Sequence, residues 1–109
     1  MMTKKTAADV LAEMAATYRE RNKIYGDNFH NVGHVMAKLH PNGVVLEDSN
    51  DHEIFHLWSL LIVKLTRFAN SGLTHVDSIH DAAVYAAMIE NIINRRGDFM
   101  DKIMTMENT

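Results

Sequence analysis

The sequence predicts an all-α fold, a compact bundle of about four helices. Apolar residues recur at three- and four-residue spacing in several segments, which is the period of one face of a helix. The chain also has only one proline and five glycines in 109 residues, too few turn formers for a fold built from many short strands. We expect residues 1–97 to form a single domain, and residues 98–109 to form a C-terminal tail or short helix.

The first two helices are bounded by a cap and by turn-forming residues. The segment Thr6-Ala7-Ala8-Asp9 resembles a capping box, which predicts a first helix over about residues 6–23. Tyr25-Gly26-Asp27 interrupts this pattern. A second helix is predicted over about residues 28–39, and Pro41-Asn42-Gly43 is a clear turn signal after it.

The third and fourth helices are predicted by broader apolar faces. Asn50-Asp51-His52-Glu53 is expected to cap a third helix that ends near Asn70, with Gly72 as its stop. The fourth helix is expected from about Asp77 to Arg96, ended by Gly97.

The apolar face of the fourth helix contains an acidic residue, whereas that of the third does not. The apolar arc of the third helix comprises Ile54, Leu57, Trp58, Leu61, Leu65 and Phe68, opposite His52, His56, Ser59, Thr66, Arg67 and Asn70. The apolar arc of the fourth comprises Val84, Tyr85, Met88, Ile89, Ile92 and Ile93. Asp81 lies within that second arc. A buried, unpaired carboxylate costs several kcal/mol, so we expect Asp81 to be paired, to bind a metal or to line a polar pocket.

Composition and charge exclude several classes of protein. The chain is 47% hydrophobic and 23% charged, as expected of a globular domain rather than a disordered chain. A net charge of −3 gives no basis for general nucleic-acid binding. The absence of cysteine excludes disulfides and thiolate metal sites, and no apolar run is long enough to span a membrane. We expect a cytoplasmic protein, and a homodimer because four short helices leave apolar surface uncovered.

The segment His52-Glu53-Ile54-Phe55-His56 matches the H-E-x-x-H motif of zinc hydrolases. Three fixed letters often match by chance, and such an enzyme also needs a third protein ligand and a substrate cleft. His30 and His34 repeat the four-residue spacing on the second helix. We interpret both pairs as solvated helix faces. A shared metal site is the alternative, and a zinc protease is not expected.

A stronger constellation is formed by Lys64-x-x-Arg67 and Asp77-x-x-x-Asp81-x-x-x-Tyr85. Because the link between the third and fourth helices is short, these helices should form an antiparallel hairpin with the basic and acidic residues side by side. Two carboxylates one turn apart can bind Mg²⁺, and Lys with Arg can hold phosphates. The alternative is an ion pair that locks the hairpin, with Tyr85 as a core residue. Spacing alone favours neither.

These residues also resemble a family of small phage-encoded helical proteins, the nucleotide-modification-associated domains. The family pattern has an Arg and a Tyr-Gly, an Asn on the next helix, a Lys-x-x-Arg, and then Asp-x-x-x-Asp-x-x-x-Tyr. The matching positions of this chain are Arg21, Tyr25, Gly26, Asp27, Asn31, Lys64, Arg67, Asp77, Asp81 and Tyr85. The likeness spans roughly residues 18–88.

The resemblance implies a phage-type protein of the host cytoplasm that binds or processes nucleoside phosphates with Mg²⁺, as a nucleotide phosphohydrolase would. Lys64 and Arg67 would hold phosphate. Asp77 and Asp81 would bind Mg²⁺ and carry any catalysis. The residues implied in nucleotide binding are Tyr25, Gly26, Asp27, Asn31 and Tyr85.

Two further comparisons bear on this interpretation. The predicted architecture is similar to that of the MazG-type all-α NTP pyrophosphatases, but their Glu-x-x-Glu and Glu-x-x-Asp pairs do not occur in this sequence. The alternative function is that of a non-catalytic interaction protein, which binds a host or phage partner. The acidic composition and eight methionines are compatible with it.

Overall fold

The structure is a computed structural model that describes residues 4–25 and 28–107. It has four α-helices in these ranges, α1 (Ala7–Tyr25), α2 (Asn28–Leu39), α3 (Ser49–Asn70) and α4 (Val76–Glu107). Since the described residues contain no strand, the predicted all-α class is confirmed. None of the described helices combines the length and the apolar character needed to cross a membrane.

The capping box predicted at the start of α1 is present. The backbone N–H of Asp9 donates to Thr6 Oγ1 at 3.2 Å, and the backbone N–H of Thr6 donates to Asp9 Oδ2 at 2.9 Å. These two bonds satisfy N–H groups that have no partner inside a helix. The hydrogen bond from the Thr6 backbone, followed by that from its side chain, lowers the pKa of Asp9.

The N-terminus of α3 differs from the prediction by two residues. The helix begins at Ser49, and its cap is Asp48, whose Oδ1 accepts from the backbone N–H of Asp51 at 2.8 Å. The expectation of a cap within residues 50–53 was wrong because Asp, Ser and Asn follow one another here. All of them are good capping residues, and only the extended backbone of Asp48 decides which one caps.

The C-terminus of α3 is where the sequence placed it. Gly72 adopts a left-handed conformation with φ 73°. Its N–H donates to Ala69 O at 3.1 Å, and the N–H of Leu73 donates to Phe68 O at 3.1 Å. This pair of bonds is a Schellman motif, so Gly72 ends α3 as predicted.

The fourth helix does not stop at Gly97. It continues as α4 to Glu107, so residues 98–107 extend α4 rather than forming a separate tail. A glycine ends a helix by turning left-handed, and among the described glycines only Gly43 and Gly72 have positive φ. Within a helix, glycine costs only about 1 kcal/mol relative to alanine, so a glycine with helical φ does not by itself end a helix.

Helix α3 is the centre of the fold, packed against α2 and against α4. Its most buried residues are Ile62 and Thr66, and those of α4 are Ser78, Ala82 and Ile92. Thr66, expected on the polar side, is therefore in the core, whereas Leu65 of the expected apolar arc is 39% exposed. The prediction was wrong here because α3 is covered from two directions. The Thr66 hydroxyl is satisfied by donating to Val63 O at 2.8 Å.

Helix α1 lies at the outside of the chain. It packs along neither α3 nor α4, and almost all of its described side chains are exposed. One ring contact links it to α2, with the centroids of Tyr18 and Phe29 6.3 Å apart. The chain is consequently elongated, 75 × 40 × 29 Å, with a radius of gyration of 20.3 Å. About 13 Å is expected for a compact domain of this length.

Candidate functional site

Polar residues of α2 and α4 meet polar residues of α3 along its stretch from residue 64 to residue 70. We call this set the three-helix cluster. Its members are Asn28, Asn31, Lys64, Arg67, Asn70 and Asp81. Four of these six were predicted as site residues from the sequence, and Asn28 and Asn70 were not.

An ion pair between α3 and α4, one of the two alternatives that the sequence left open, is present. Lys64 Nζ lies 3.0 Å from Asp81 Oδ2, and the two side chains are 21% and 42% exposed. The hairpin therefore does bring the basic pair of α3 beside α4. Asp81 is paired as expected of an acid in an apolar arc, but it is less buried than the arc suggested.

Two amide contacts join α2 to the end of α3. Asn70 Nδ2 donates to Asn28 Oδ1 at 3.0 Å, and Asn31 Nδ2 lies 3.4 Å from Asn70 Oδ1. Asn28 is the first residue of α2, so these contacts place a helix N-terminus beside the C-terminal turn of α3. The N–H groups of a first helical turn lack partners within the helix and carry partial positive charge. The last carbonyl groups of α3 carry partial negative charge and lie beside them, so the two helix ends oppose each other electrostatically at this place.

Arg67 lies on α3 between the two contacts just described. It follows Lys64 by three residues and precedes Asn70 by three, so all three occupy one stripe of the helix. Its side chain is half-buried, and Nε is shielded from solvent. A partly shielded guanidinium beside a lysine is suited to binding phosphate, because its planar fork forms two parallel hydrogen bonds.

Among the described residues, the other predicted site residues do not contribute observed contacts to the three-helix cluster. Asp77 is exposed and makes no ion pair with a described residue, although it lies one turn before Asp81. Tyr85 is half-buried one turn after Asp81. Gly26, Asp27 and the side chain of Tyr25 lie outside the described residues. Arg21 is exposed on α1, where it borders a different cavity.

The turn between α3 and α4 is held by hydroxyl groups that the sequence analysis did not single out. Ser71 Oγ accepts from the backbone N–H groups of Thr74 at 3.2 Å and His75 at 3.0 Å. His75 Nδ1 lies 2.6 Å from Ser78 Oγ, and Ser78 is only 1% exposed. These bonds set the geometry of the hairpin and hence the position of α4 against Lys64. Ser at the end of one helix, followed by Thr-His-x-x-Ser, was the available signal.

The histidines of the H-E-x-x-H segment do not meet other ligands. His52 and His56 are exposed on α3, as are His30 and His34 on α2. Across residues 4–25 and 28–107, no three His, Asp or Glu side chains are grouped so that they could hold a metal ion.

A second polar cluster lies at the other end of α3. Arg96 NH1 donates to Asp51 Oδ1 at 3.0 Å, and NH2 donates to Asp48 Oδ2 at 3.1 Å. Asp51 Oδ2 also accepts from the backbone N–H of Glu47 at 3.0 Å. The bond from Glu47, followed by that from Arg96, lowers the pKa of Asp51, and the bond to Asp51 raises the pKa of Arg96. These groups satisfy one another and tie α4 to the cap of α3.

An aromatic cluster joins α2 to α3. Trp58 Nε1 donates to His40 Nε2 at 3.2 Å, and His40 Nδ1 lies 3.0 Å from Met36 O. Because a carbonyl oxygen only accepts, His40 carries its proton on Nδ1 and is neutral in this arrangement. A cavity of about 260 Å³, bordered by Phe55 and Trp58, lies beside it. Its walls are mainly apolar, and it lies apart from the three-helix cluster.

Comparison with known proteins does not identify a relative. No protein-family profile, curated protein or solved structure matches the chain significantly. The function must therefore be argued from the geometry of the chain and from the resemblance described above.

Proposed function

We propose that this protein binds a nucleoside phosphate at the three-helix cluster, as a phage-type nucleotide-binding or nucleotide-processing protein. The observation that carries the proposal is the pair of basic side chains Lys64 and Arg67, one turn apart on α3, with Lys64 held by Asp81 of α4. Two adjacent cations suit a phosphate group.

The ion pair of Lys64 does not oppose this function. Asp81 pairs with Lys64 in the free protein and keeps this side chain directed along the hairpin. A bound phosphate would share Lys64 with Asp81, whereas Arg67 would supply the stronger, bidentate contact. Asn31, exposed at the first turn of α2, is placed to contact the sugar or base.

Magnesium fits this arrangement only with help from the nucleotide. Asp77 and Asp81 lie one turn apart on α4, and Mg²⁺ commonly uses one or two carboxylates with water and phosphate oxygens. Lys64 lies at hydrogen-bonding distance from Asp81 Oδ2, which leaves the second oxygen for a cation. When bound, the cation would neutralise phosphate charge beside Arg67. The acidic pair alone offers too few ligands for tight binding without nucleotide.

Isothermal titration with nucleoside mono-, di- and triphosphates, with and without Mg²⁺, tests the proposal. We expect binding to wild type, and Arg67→Lys should weaken it by about 1.5–3 kcal/mol, the worth of a charged hydrogen bond. Arg95→Lys is the matched control, because Arg95 is exposed on α4 fourteen residues after Asp81, about 21 Å along the helix. It should leave the affinity unchanged.

Two results would contradict the proposal. The first is no binding of any nucleotide at millimolar concentration with Mg²⁺ present. The second is binding that Arg67→Lys and Arg95→Lys weaken equally, which would point to a diffuse charge effect. Circular dichroism of each variant, recorded beforehand, separates loss of the site from loss of the fold.

A second function is favoured by a different observation. Large apolar side chains are exposed along α1 and α4, including Leu11, Met14, Met100 and Met104. Such surfaces commonly mark protein–protein contacts. A non-catalytic interaction protein, with the Lys64–Asp81 pair as a purely structural lock, is therefore the alternative. It predicts that no nucleotide binds and that a phage or host protein does.

A further inference from the structure

The chain exposes far more surface than a compact protein of its mass. Its accessible surface is 8749 Å², whereas a compact 12.4 kDa monomer is expected to expose about 6,100 Å². Only Ile62, Ala82 and Ile92 are buried hydrophobic residues among those described. The excess of about 2,600 Å² lies at the upper end of what each chain buries in an obligate dimer, about 1,000–2,500 Å².

Part of this surface is a groove between α3 and α4, with a volume of about 450 Å³. Its apolar walls are Leu57 of α3 and Val84, Met88 and Ile92 of α4. Met88 lies at the middle of the stretch from residue 84 to residue 92 and is 45% exposed. That stretch is about 12 Å long at the rise of an α-helix.

A second exposed apolar surface is one face of α1. Val10, Leu11, Met14 and Tyr18 recur at helical spacing, and Leu11 and Met14 are 65% and 60% exposed. The stretch from residue 10 to residue 18 is also about 12 Å long, and Met14 lies at its middle. Most of the stability of a helix in a protein comes from packing its apolar face on another surface. The α1 face and the groove therefore match in length and in chemistry.

We propose that a second copy of this chain covers both surfaces, with α1 of each copy seated in the α3–α4 groove of the other. The chain's own α1 does not fill this groove, because it packs along neither α3 nor α4. A two-fold axis makes the contact twice, once for each α1, so both exposed faces of both chains are buried. Met14 of one copy then lies close to Met88 of the other. This inference is independent of nucleotide binding.

Light scattering coupled to size-exclusion chromatography measures the assembly. Wild type should have twice the chain mass of 12.4 kDa. Met14→Glu and Met88→Glu should each lower the measured mass twofold, because each places a charge in the apolar contact. Ala16→Glu, on the opposite side of α1, should leave the mass unchanged.

Crosslinking tests the arrangement even if a charged variant fails to fold. The chain has no cysteine, so single cysteines can be placed at will. Met14→Cys and Met88→Cys chains, carrying different tags and refolded together, should be joined by a short bismaleimide into a mixed dimer. Ala16→Cys with Met88→Cys is the control pair and should give at least tenfold less product.

Three outcomes would overturn the proposal. One is a wild-type mass of 12.4 kDa with full helical circular dichroism. This result would mean that α1 packs on its own chain or binds a different protein. Another is an assembly in which Met14→Cys and Met88→Cys do not crosslink above the control pair. The third is an assembly that both glutamate variants leave intact.

Discussion

Breaking the Lys64–Asp81 pair is the perturbation that best separates a structural from a functional role. The charged atoms are 3.0 Å apart, for which Coulomb's law at an effective dielectric constant of about 20 gives an attraction of about 5 kcal/mol before any desolvation is subtracted. Fully buried pairs cost about 3–5 kcal/mol when one partner is removed, and exposed pairs contribute about 1 kcal/mol or less. Because Lys64 is 21% and Asp81 42% exposed, we expect Asp81→Asn to cost about 1–2 kcal/mol. This is less than the loss expected for a buried carboxylate.

A double-mutant cycle measures the pair itself. Urea melts of wild type, Asp81→Asn, Lys64→Met and the double variant, at one protein concentration, should give a coupling free energy of about 1 kcal/mol. Asp77→Asn is the matched control, since Asp77 is exposed and unpaired among described residues. It should cost only about 0.5 kcal/mol, through the helix dipole.

The same melts distinguish a Mg²⁺ site from a purely structural ion pair. If Asp77 and Asp81 bind Mg²⁺ with nucleotide, adding both ligands should raise the midpoint of wild type, and the gain should vanish in Asp81→Asn. A coupling free energy below about 0.3 kcal/mol would refute the reasoning, because it would mean that the ion pair contributes nothing in solution.

Two further predictions concern helix ends and acid stability. Gly97→Ala should stabilise the protein by about 1 kcal/mol, because Gly97 lies inside α4 with open space around its Cα. Gly72→Ala should destabilise it by about 1 kcal/mol, because φ is 73° there. Equal shifts of the thermal midpoint in the two variants would contradict the helical conformation of Gly97 and the left-handed conformation of Gly72. Asp51, whose pKa the bonds from Glu47 and Arg96 lower from 3.8, stabilises the fold above about that pH and ceases to do so as the pH falls through its lowered pKa. Asp51→Asn should therefore lose less helical signal between pH 5 and pH 2 than wild type, and an identical acid transition would contradict this.

Local signals determined much of this protein before any packing was considered. The capping box at Thr6, the limits of α2 and the stop at Gly72 follow from hydrogen bonds between residues close in sequence, so a short segment contains all the information. The pairing of Lys64 with Asp81 was predictable for a related reason. A short turn allows only an antiparallel hairpin, and helical periodicity then sets which residues face each other.

Other features depended on residues distant in sequence. The burial of Thr66 required α3 to be covered by two helices at once, which periodicity on one helix does not reveal. Arg96 meets Asp48 and Asp51 across more than forty residues, and Asn70 meets Asn28 across a similar separation. Such contacts depend on how whole helices pack, and no local pattern encodes them.

The surface of α1 shows the same division most clearly. Its helical period and the position of its apolar residues Leu11 and Met14 on one face are evident in the sequence. The tertiary structure decided that this chain alone does not bury them. Periodicity indicates which face of a helix needs a partner. The identity of that partner depends on the shape of the surface that the other helices form, and this surface exists only once α3 and α4 have packed.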